Sequence, residues 1–230
     1  DTETTGIDAL NAELVGMSFS WQKGEAFYVP FPENQEEAQI LVDKFKPFFE
    51  NENIEKIGQN IKYDLKILSN YGVQIRGKLF DTMIAHYLIN PDMRHNMDVL
   101  SETYLKYSPK SIEDLIGKKG KNQKSMRDVS FEEIKEYAAE DADITFQLKQ
   151  NFSPILDKAE TKKLFDEIEI PLIPVLAAME LEGINLDVPF LKEMSVEMAK
   201  ESSELEKKIY ETAGEKFNLA SPKQLGDVLF

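Results

Sequence analysis

The residues with the strongest claim to chemistry are carboxylates in apolar company. The spacing predicts a helix after Ser130 whose inward stripe reads Ile134, Ala138, Asp141, Thr145, Leu148 and Phe152, at steps of three and four. Asp141 therefore falls where an apolar residue belongs. An ionised carboxylate buried alone is strongly unfavourable, so it must be hydrogen-bonded, paired with a lysine or arginine, or bound to a metal ion. Tyr137 lies one turn earlier on the same face, within reach of whatever Asp141 holds. Asp64 repeats the pattern by sharing a helical face with Ile61, Leu65 and Leu68. Asp1 and Glu3 are two apart in an extended segment, so their side chains point the same way and repel. A cation between them would relieve that repulsion, and so would simple solvation at a chain terminus.

Composition narrows what a cation could be. The chain has no cysteine and only two histidines, which excludes a thiolate zinc site, a His-rich centre and a cysteine nucleophile. Any metal must be held by oxygen. The net charge of −15 argues against a broadly phosphate-binding surface, since nonspecific nucleic-acid affinity rests on Lys and Arg. The run from Gly117 to Arg127, with five basic residues and no acidic one, is the local exception. It reads either as a phosphate-tracking loop or as a solvated one. Asn60 and Asp81 read as helix N-caps, Lys62 and Tyr63 as exposed helix positions, and His86 and His95 as packing or hydrogen-bonding residues. Glu140 and Asp143 lie off the inward stripe and read as solvated.

These residues need elements to position them. Leu14–Trp21 and Ala26–Val29 read as a hairpin turning at Gly24, and Lys56–Gly58 as a short strand. Helical spacing covers Glu36–Phe49, Ile61–Tyr71, Thr82–Leu88 and Met97–Leu105. Ser130-Phe-Glu-Glu133 is a capping-box pattern opening the helix that should run to about Phe152. This order predicts an α/β fold, a mixed sheet flanked by helices. After Pro154 the sequence turns Glu-rich and helical, with a long helix from Val188 to Ala213 capped by Asp187 and a last one opened by Ser221-Pro222. A domain boundary is expected near 153–160, and the last helix reads as cut off at Phe230. No window is apolar for the length of a membrane span and the N-terminus lacks the basic-then-apolar layout of a secretory signal, so a cytoplasmic protein without a membrane partner is expected.

Asp1-Thr-Glu-Thr4, Gly58-Gln-Asn-Ile-Lys-Tyr-Asp64 and Tyr137-Ala-Ala-Glu-Asp141 resemble the three exonuclease motifs of the bacterial DNA polymerase I family. The tyrosine four before the last aspartate resembles its tyrosine subtype. Phe80-Asp-Thr-Met83, Arg94-His95 and Gly120-Lys-Asn-Gln123 are similar to the same family. Glu169-Ile-Pro-Leu172, Met179-Glu-Leu-Glu-Gly183 and the stretch from Phe217 to Leu225 resemble the opening of its polymerase domain.

The resemblance implies a ribonuclease H-like exonuclease domain over residues 1–153, followed at 154–230 by the helical, thumb-side start of a polymerase domain without its palm. It implies two Mg²⁺ or Mn²⁺ ions: Asp1, Glu3 and Asp141 would hold one, Asp1 would bridge to the second, and Asp64 would support that ion through water. Tyr137 would orient the attacking water. Gln59, Asn60 and Tyr63 would contact the last nucleotides of a single-stranded or frayed 3′ end of DNA, Ile7 would wedge between terminal bases, and Arg94 and Lys121 would meet phosphates. The partners implied are that DNA end and the remainder of a polymerase chain, the protein being a monomer. One departure is that the apolar stretch which precedes the first motif in relatives is absent before Asp1. Either upstream residues precede this sequence, or its first strand is left with little ladder and a free amino group stands beside the site; weakened metal binding is expected if the chain truly begins at Asp1. Two other readings stay open, a ribonuclease D-like RNA exonuclease and a catalytically impaired DNA-binding fragment.

Overall fold

In the computed structural model, which describes all residues from 1 to 230, Leu14–Gln22 (β2) is a central strand buried on both faces from Leu14 to Ser18 and exposed at its far end. β2 pairs antiparallel with Glu25–Pro30 (β3) around Gly24, whose φ of +79° suits a glycine turn, and with Thr2–Thr4 (β1) on its other edge. Thr2 lies opposite Met17 and Glu3 opposite Gly16, with a bulge before Thr4. The Asp1 amino group donates to the Ser18 carbonyl and the Ser18 N–H to the Asp1 carbonyl, both at 3.0 Å, so this ladder extends through the first residue. A second, parallel pair joins Lys56–Gly58 (β4) to Leu79–Asp81 (β5). Both pairing senses of the expected mixed sheet are present, divided between two small sheets. β1 is bonded to β2 alone.

Helices cover these sheets. Gln35–Phe49 (α1) opens on Asn34, whose side chain accepts from the Glu36 and Glu37 N–H groups. Ile61–Asn70 (α2) and Thr82–Ile89 (α3) follow β4 and β5 directly. The helix expected at 97–105 is Met97–Leu100 (α4) passing into a π-helical turn, Ser101–Leu105. After the short Ile112–Ile116 (α5) comes Phe131–Lys158 (α6), six residues longer than the sequence suggests. Pro154 sits inside it. Leu156 and Phe152 are fully buried with Phe165 in one cluster, and that burial outweighs the hydrogen bond the proline removes. Lys162–Leu164 (α7), a π-helical turn at Phe165–Glu169 and Ile170–Glu182 (α8) complete a compact unit spanning Asp1–Glu182.

The second unit, Gly183–Phe230, holds Val188–Ala213 (α9) and Pro222–Leu229 (α10). Asp187 and Ser221 cap them as expected, accepting from the Phe190 and Gln224 N–H groups. Tyr210 ties the end of α9 to the following loop by donating to the Phe217 carbonyl at 2.9 Å. No helix is long and apolar enough to cross a membrane.

One carboxylate organises the turns between strands and helices. Asp81, 1% exposed, accepts from the Ile61 N–H at 2.8 Å through Oδ2 and from the Ile84 N–H at 3.0 Å through Oδ1. It caps two helices at once. The expected capping of α2 by Asn60 is corrected here: Asn60 is left-handed, with φ +61°, and its side chain makes no cap bond. Replacing Asp81 with alanine leaves two buried N–H groups unmet, a loss of about 2–4 kcal/mol measurable by urea unfolding. Asp81→Asn, which keeps one acceptor, should lose about half as much.

Candidate metal centre

One strand and two helices just described deliver four carboxylates to one region. Asp1 immediately precedes β1, β1 carries Glu3, α2 carries Asp64 in its first turn, and α6 carries Tyr137 and Asp141. Every residue of the inward stripe expected on α6 is buried, Asp141 among them. Carboxylate oxygens of Asp1, Glu3 and Asp141 lie within 4.8 Å of one another. Asp64 stands outside that set, and its Oδ1 accepts a 2.6 Å hydrogen bond from the Thr2 hydroxyl. Thr2, between the two carboxylates of β1, escaped the sequence reading because a threonine beside a motif carries no periodic signal.

Electrostatics decides among the partners open to Asp141. Glu3, Asp64 and Asp141 are only 6–7% exposed, and no lysine, arginine or histidine forms an ion pair with any of them. The salt-bridge alternative is thereby excluded. Burial, then the Asp141 charge, pushes the Glu3 carboxyl up to about 8. Burial chiefly raises Asp141 to about 7, against the lowering effect of the Tyr137 hydroxyl, while Glu140 and Asp98 raise it further. Burial also raises Asp64, opposed by the chain's amino group and the Thr2 hydroxyl. Tyr137 is pushed well above the usual phenol range by burial, Asp141 and Glu3, so its hydroxyl keeps its proton. Like charges converging without a cation, presented by oxygen donors alone, fit a hard divalent ion.

The surroundings are built around Glu3. Gly16 faces it across the ladder, and a Cβ there would come within 2.2–2.3 Å of the Tyr28 ring. The absent side chain is what lets Tyr28 pack beside the site, its hydroxyl donating to the Val15 carbonyl. Asp98 is a further residue the sequence reading missed. Its position shortly after Arg94-His95 was the available signal, and its charge raises both Asp141 and Tyr137. Beside Thr2 and Asp64 lies a cavity of about 630 Å³, lined also by Ser18, Ile57 and Thr145. The Ser18 and Thr145 hydroxyls are buried there without partners.

The residues expected to meet a nucleic acid are more dispersed. Ile7 is 87% exposed. Tyr63 fixes the loop that carries it, its hydroxyl 2.5 Å from both the Thr4 hydroxyl and the Gly6 carbonyl. Gln59 donates through Nε2 to the His95 carbonyl at 2.7 Å and accepts from the Thr82 hydroxyl. Asn60, Arg94 and Lys121 are exposed. Arg127 is committed elsewhere, donating to the Leu14, Phe31 and Pro32 carbonyls, so the end of the basic run holds structure rather than phosphate. Glu140 and Asp143 are likewise not free in solvent. Glu140 accepts from the Tyr107 hydroxyl and the Lys110 N–H, and Asp143 from the Gly24 N–H at 2.8 Å.

Comparison with known proteins places this arrangement. The model of a 3′-5′ exonuclease family matches residues 1–157. The whole chain aligns with DNA polymerase I of Pseudomonas aeruginosa at 38% identity over 240 residues, covering 26% of that protein. It aligns likewise with DNA polymerase I of Borreliella burgdorferi at 40% over 233 residues, covering 25%. The chain thus spans about a quarter of the length of these relatives. Among solved structures, the POL domain of Pol1 from M. smegmatis in complex with DNA primer-template and dNTP matches with a TM-score of 0.80 at 22% identity, over 100% of this chain and 36% of that one. Brucella melitensis NrnC matches with a TM-score of 0.64 at 23% identity, over 80% of this chain and 84% of that one. These two likenesses concern the fold, the mixed α/β class expected from the sequence.

The raised carboxyls fix the sign of the pH dependence. Glu3 rises from 4.5 to about 8 and Asp141 from 3.8 to about 7, so the native state retains protons that the unfolded chain has released. The stability these two groups contribute without metal is fullest below about pH 4 and is lost as pH rises toward 8. Melting temperatures in chelator should drop across that range, and Glu3→Gln should flatten the slope. A melting temperature that climbs with pH in chelator would contradict the assignment.

Proposed function

Because this chain belongs to the 3′-5′ exonuclease family, we propose that it removes 3′-terminal nucleotides from DNA as 5′-mononucleotides in a metal-dependent proofreading reaction. The observation that carries the reading is the convergence of Asp1, Glu3 and Asp141 within 4.8 Å with no basic side chain to neutralise them. Asp1, Glu3 and Asp141 would hold one Mg²⁺ or Mn²⁺, with Asp1 shared by a second ion that Asp64 supports. Such ions supply an acidified water and a counter-charge for the leaving 3′ oxygen.

The chain's own residues do the positioning. Tyr137, holding its proton, orients the attacking water through its hydroxyl. The water oxygen bonds to phosphorus, the bond to the penultimate 3′ oxygen breaks, and that oxygen takes up the proton. Gln59, Asn60 and Tyr63 receive the last nucleotides, Ile7 inserts between terminal bases, and Arg94 and Lys121 take phosphates. A single-stranded or frayed 3′ end is the substrate, since a paired terminus must open before its phosphodiester reaches a recessed site. Residues 1–153 carry this activity. Residues 154–230 are the helical approach to a polymerase domain, in keeping with full-length alignment to DNA polymerases. The remainder of such a chain is the natural partner, and the protein acts as a monomer.

A 5′-labelled DNA strand incubated with the chain and Mg²⁺ or Mn²⁺ should shorten stepwise from its 3′ end, and chelator or Asp141→Ala should stop it. Tyr137→Phe should lower kcat by about tenfold or more with KM little changed. An RNA strand degraded faster than the matching DNA strand would replace this reading with an RNA exonuclease. No metal-dependent shortening by the folded chain would sink both.

A further inference from the structure

The nuclease reading leaves the two histidines without a task, yet they form a specific pair. His86 on α3 is fully buried, with Nδ1 2.7 Å from Nδ1 of His95 and Nε2 3.0 Å from the Tyr104 hydroxyl. Phe152 of α6 packs against its ring, and Tyr87 packs against that of His95. The titratable groups facing the pair are therefore Tyr104 and Tyr87, and neither histidine has an ion-pair partner. A histidine buried for volume alone would not need both nitrogens engaged.

The far end of this chain of contacts reaches the strand-binding residues. The His95 carbonyl holds Gln59 Nε2, and the Thr82 hydroxyl holds Gln59 Oε1. The amide is thus fixed from both sides, with one N–H and one lone pair left for a ligand. Arg94, exposed, is the residue before His95. We propose that His86, acting through the His95 side chain, is a positioning residue that holds Gln59 and Arg94 toward the terminal nucleotides of the bound strand. This assignment rests on the nuclease reading and adds a specificity element to it.

Hydrogen-bond chemistry makes the device sensitive to acid. The bond between the two Nδ1 atoms needs one donor and one acceptor. A first proton is tolerated, because a doubly protonated His86 can donate to His95 and to the Tyr104 oxygen. A second proton sets N–H against N–H and breaks the bond. Burial, with His95 beside it, holds the His86 imidazole below its ordinary range. The pair bond therefore holds while no more than one of the two imidazoles is charged and is lost only when acid charges both. Strand affinity should fall with it, separately from the chemical step.

The test compares KM and kcat for a 5′-labelled single-stranded DNA at about pH 8 and about pH 5.5 in the wild-type chain, His86→Phe and His86→Asn. His86→Phe keeps the aromatic volume and should raise KM about fivefold at the higher pH, with kcat within about twofold. Its KM should then stay flat on acidification, while that of the wild type rises. Asn places a polar atom near the Nδ1 position and should return KM toward the wild-type value. Equal KM for wild type and His86→Phe, or a loss confined to kcat, overturns the assignment while leaving the nuclease intact. If His86→Phe does not fold, the wild-type KM profile and His86→Asn decide. With two histidines in the chain, an imidazole NMR titration resolves both, and two independent titrations of exposed type overturn the pair. A wild-type chain that never shortens DNA defeats the nuclease reading itself, and the positioning role falls with it.

Discussion

Negative charge held out of water without a compensating side chain is the constraint on which this structure turns. Glu3, Asp64 and Asp141 come from three elements far apart in sequence, and each alone would be unfavourable in its surroundings. A stability-driven fold would replace them with apolar residues or set a lysine between them. Here the 27 basic residues of the chain are spent elsewhere, and the buried carboxyls respond by holding protons near neutrality. The fold keeps a standing demand for positive charge at one point. The same demand would reconcile a strongly acidic surface with the anionic substrate proposed above, since attraction would be needed only at the point of cleavage.

Holding that demand in place takes a rigid frame, and much of the frame is polar. Apolar clusters pack α1 and α2 against the sheet and α3 against α6, but they do not set the orientation of side chains at the site. Directional hydrogen bonds made by side chains do so. Asp81 couples the starts of α2 and α3, Tyr63 closes the loop after β1, and the Thr2 hydroxyl steadies Asp64. Each is worth little in net stability but is directional in a way apolar contacts are not.

What the sequence disclosed follows from which residues sit in periodic segments. Asp64 and Asp141 were legible because a helix repeats every 3.6 residues, so a carboxylate on an apolar stripe stands out. Glu3 lies in a strand of three residues and Asp1 just before it, too short for a period, and only their resemblance to a family motif marked them. The same limit explains the errors. A helical wheel reports which face of a helix is apolar but not what approaches its other faces, so Glu140 and Asp143 read as solvated although a loop and a hairpin tip rest on them. Asp81 was read as one cap because its second partner, Ile61, is twenty residues away. Pro154 looked like a stop because its local cost is visible in sequence and the buried Leu156 that offsets it is not. The split of the strands into two sheets, with β1 bonded on one side, depends on pairing that no local signal encodes.

The hydrogen bond from the Gly24 N–H to Asp143 has a consequence for how such a domain can change. It fastens the tip of the β2–β3 hairpin to α6 two residues beyond Asp141, while Ser130 fixes the start of the same helix. Between those points α6 can neither slide nor roll. Each added or removed residue there would turn the following side chains by about 100°, swinging Asp141 off its stripe and breaking the fastening at once. The loop upstream is clamped only at its end, where Arg127 holds the Leu14, Phe31 and Pro32 carbonyls, while residues 117–124 are exposed. Length changes are therefore best accommodated in residues 117–124, while the stretch from Ser130 to Asp143 behaves as a fixed ruler whose gauge is the distance from a helix start to the buried Asp141 carboxylate.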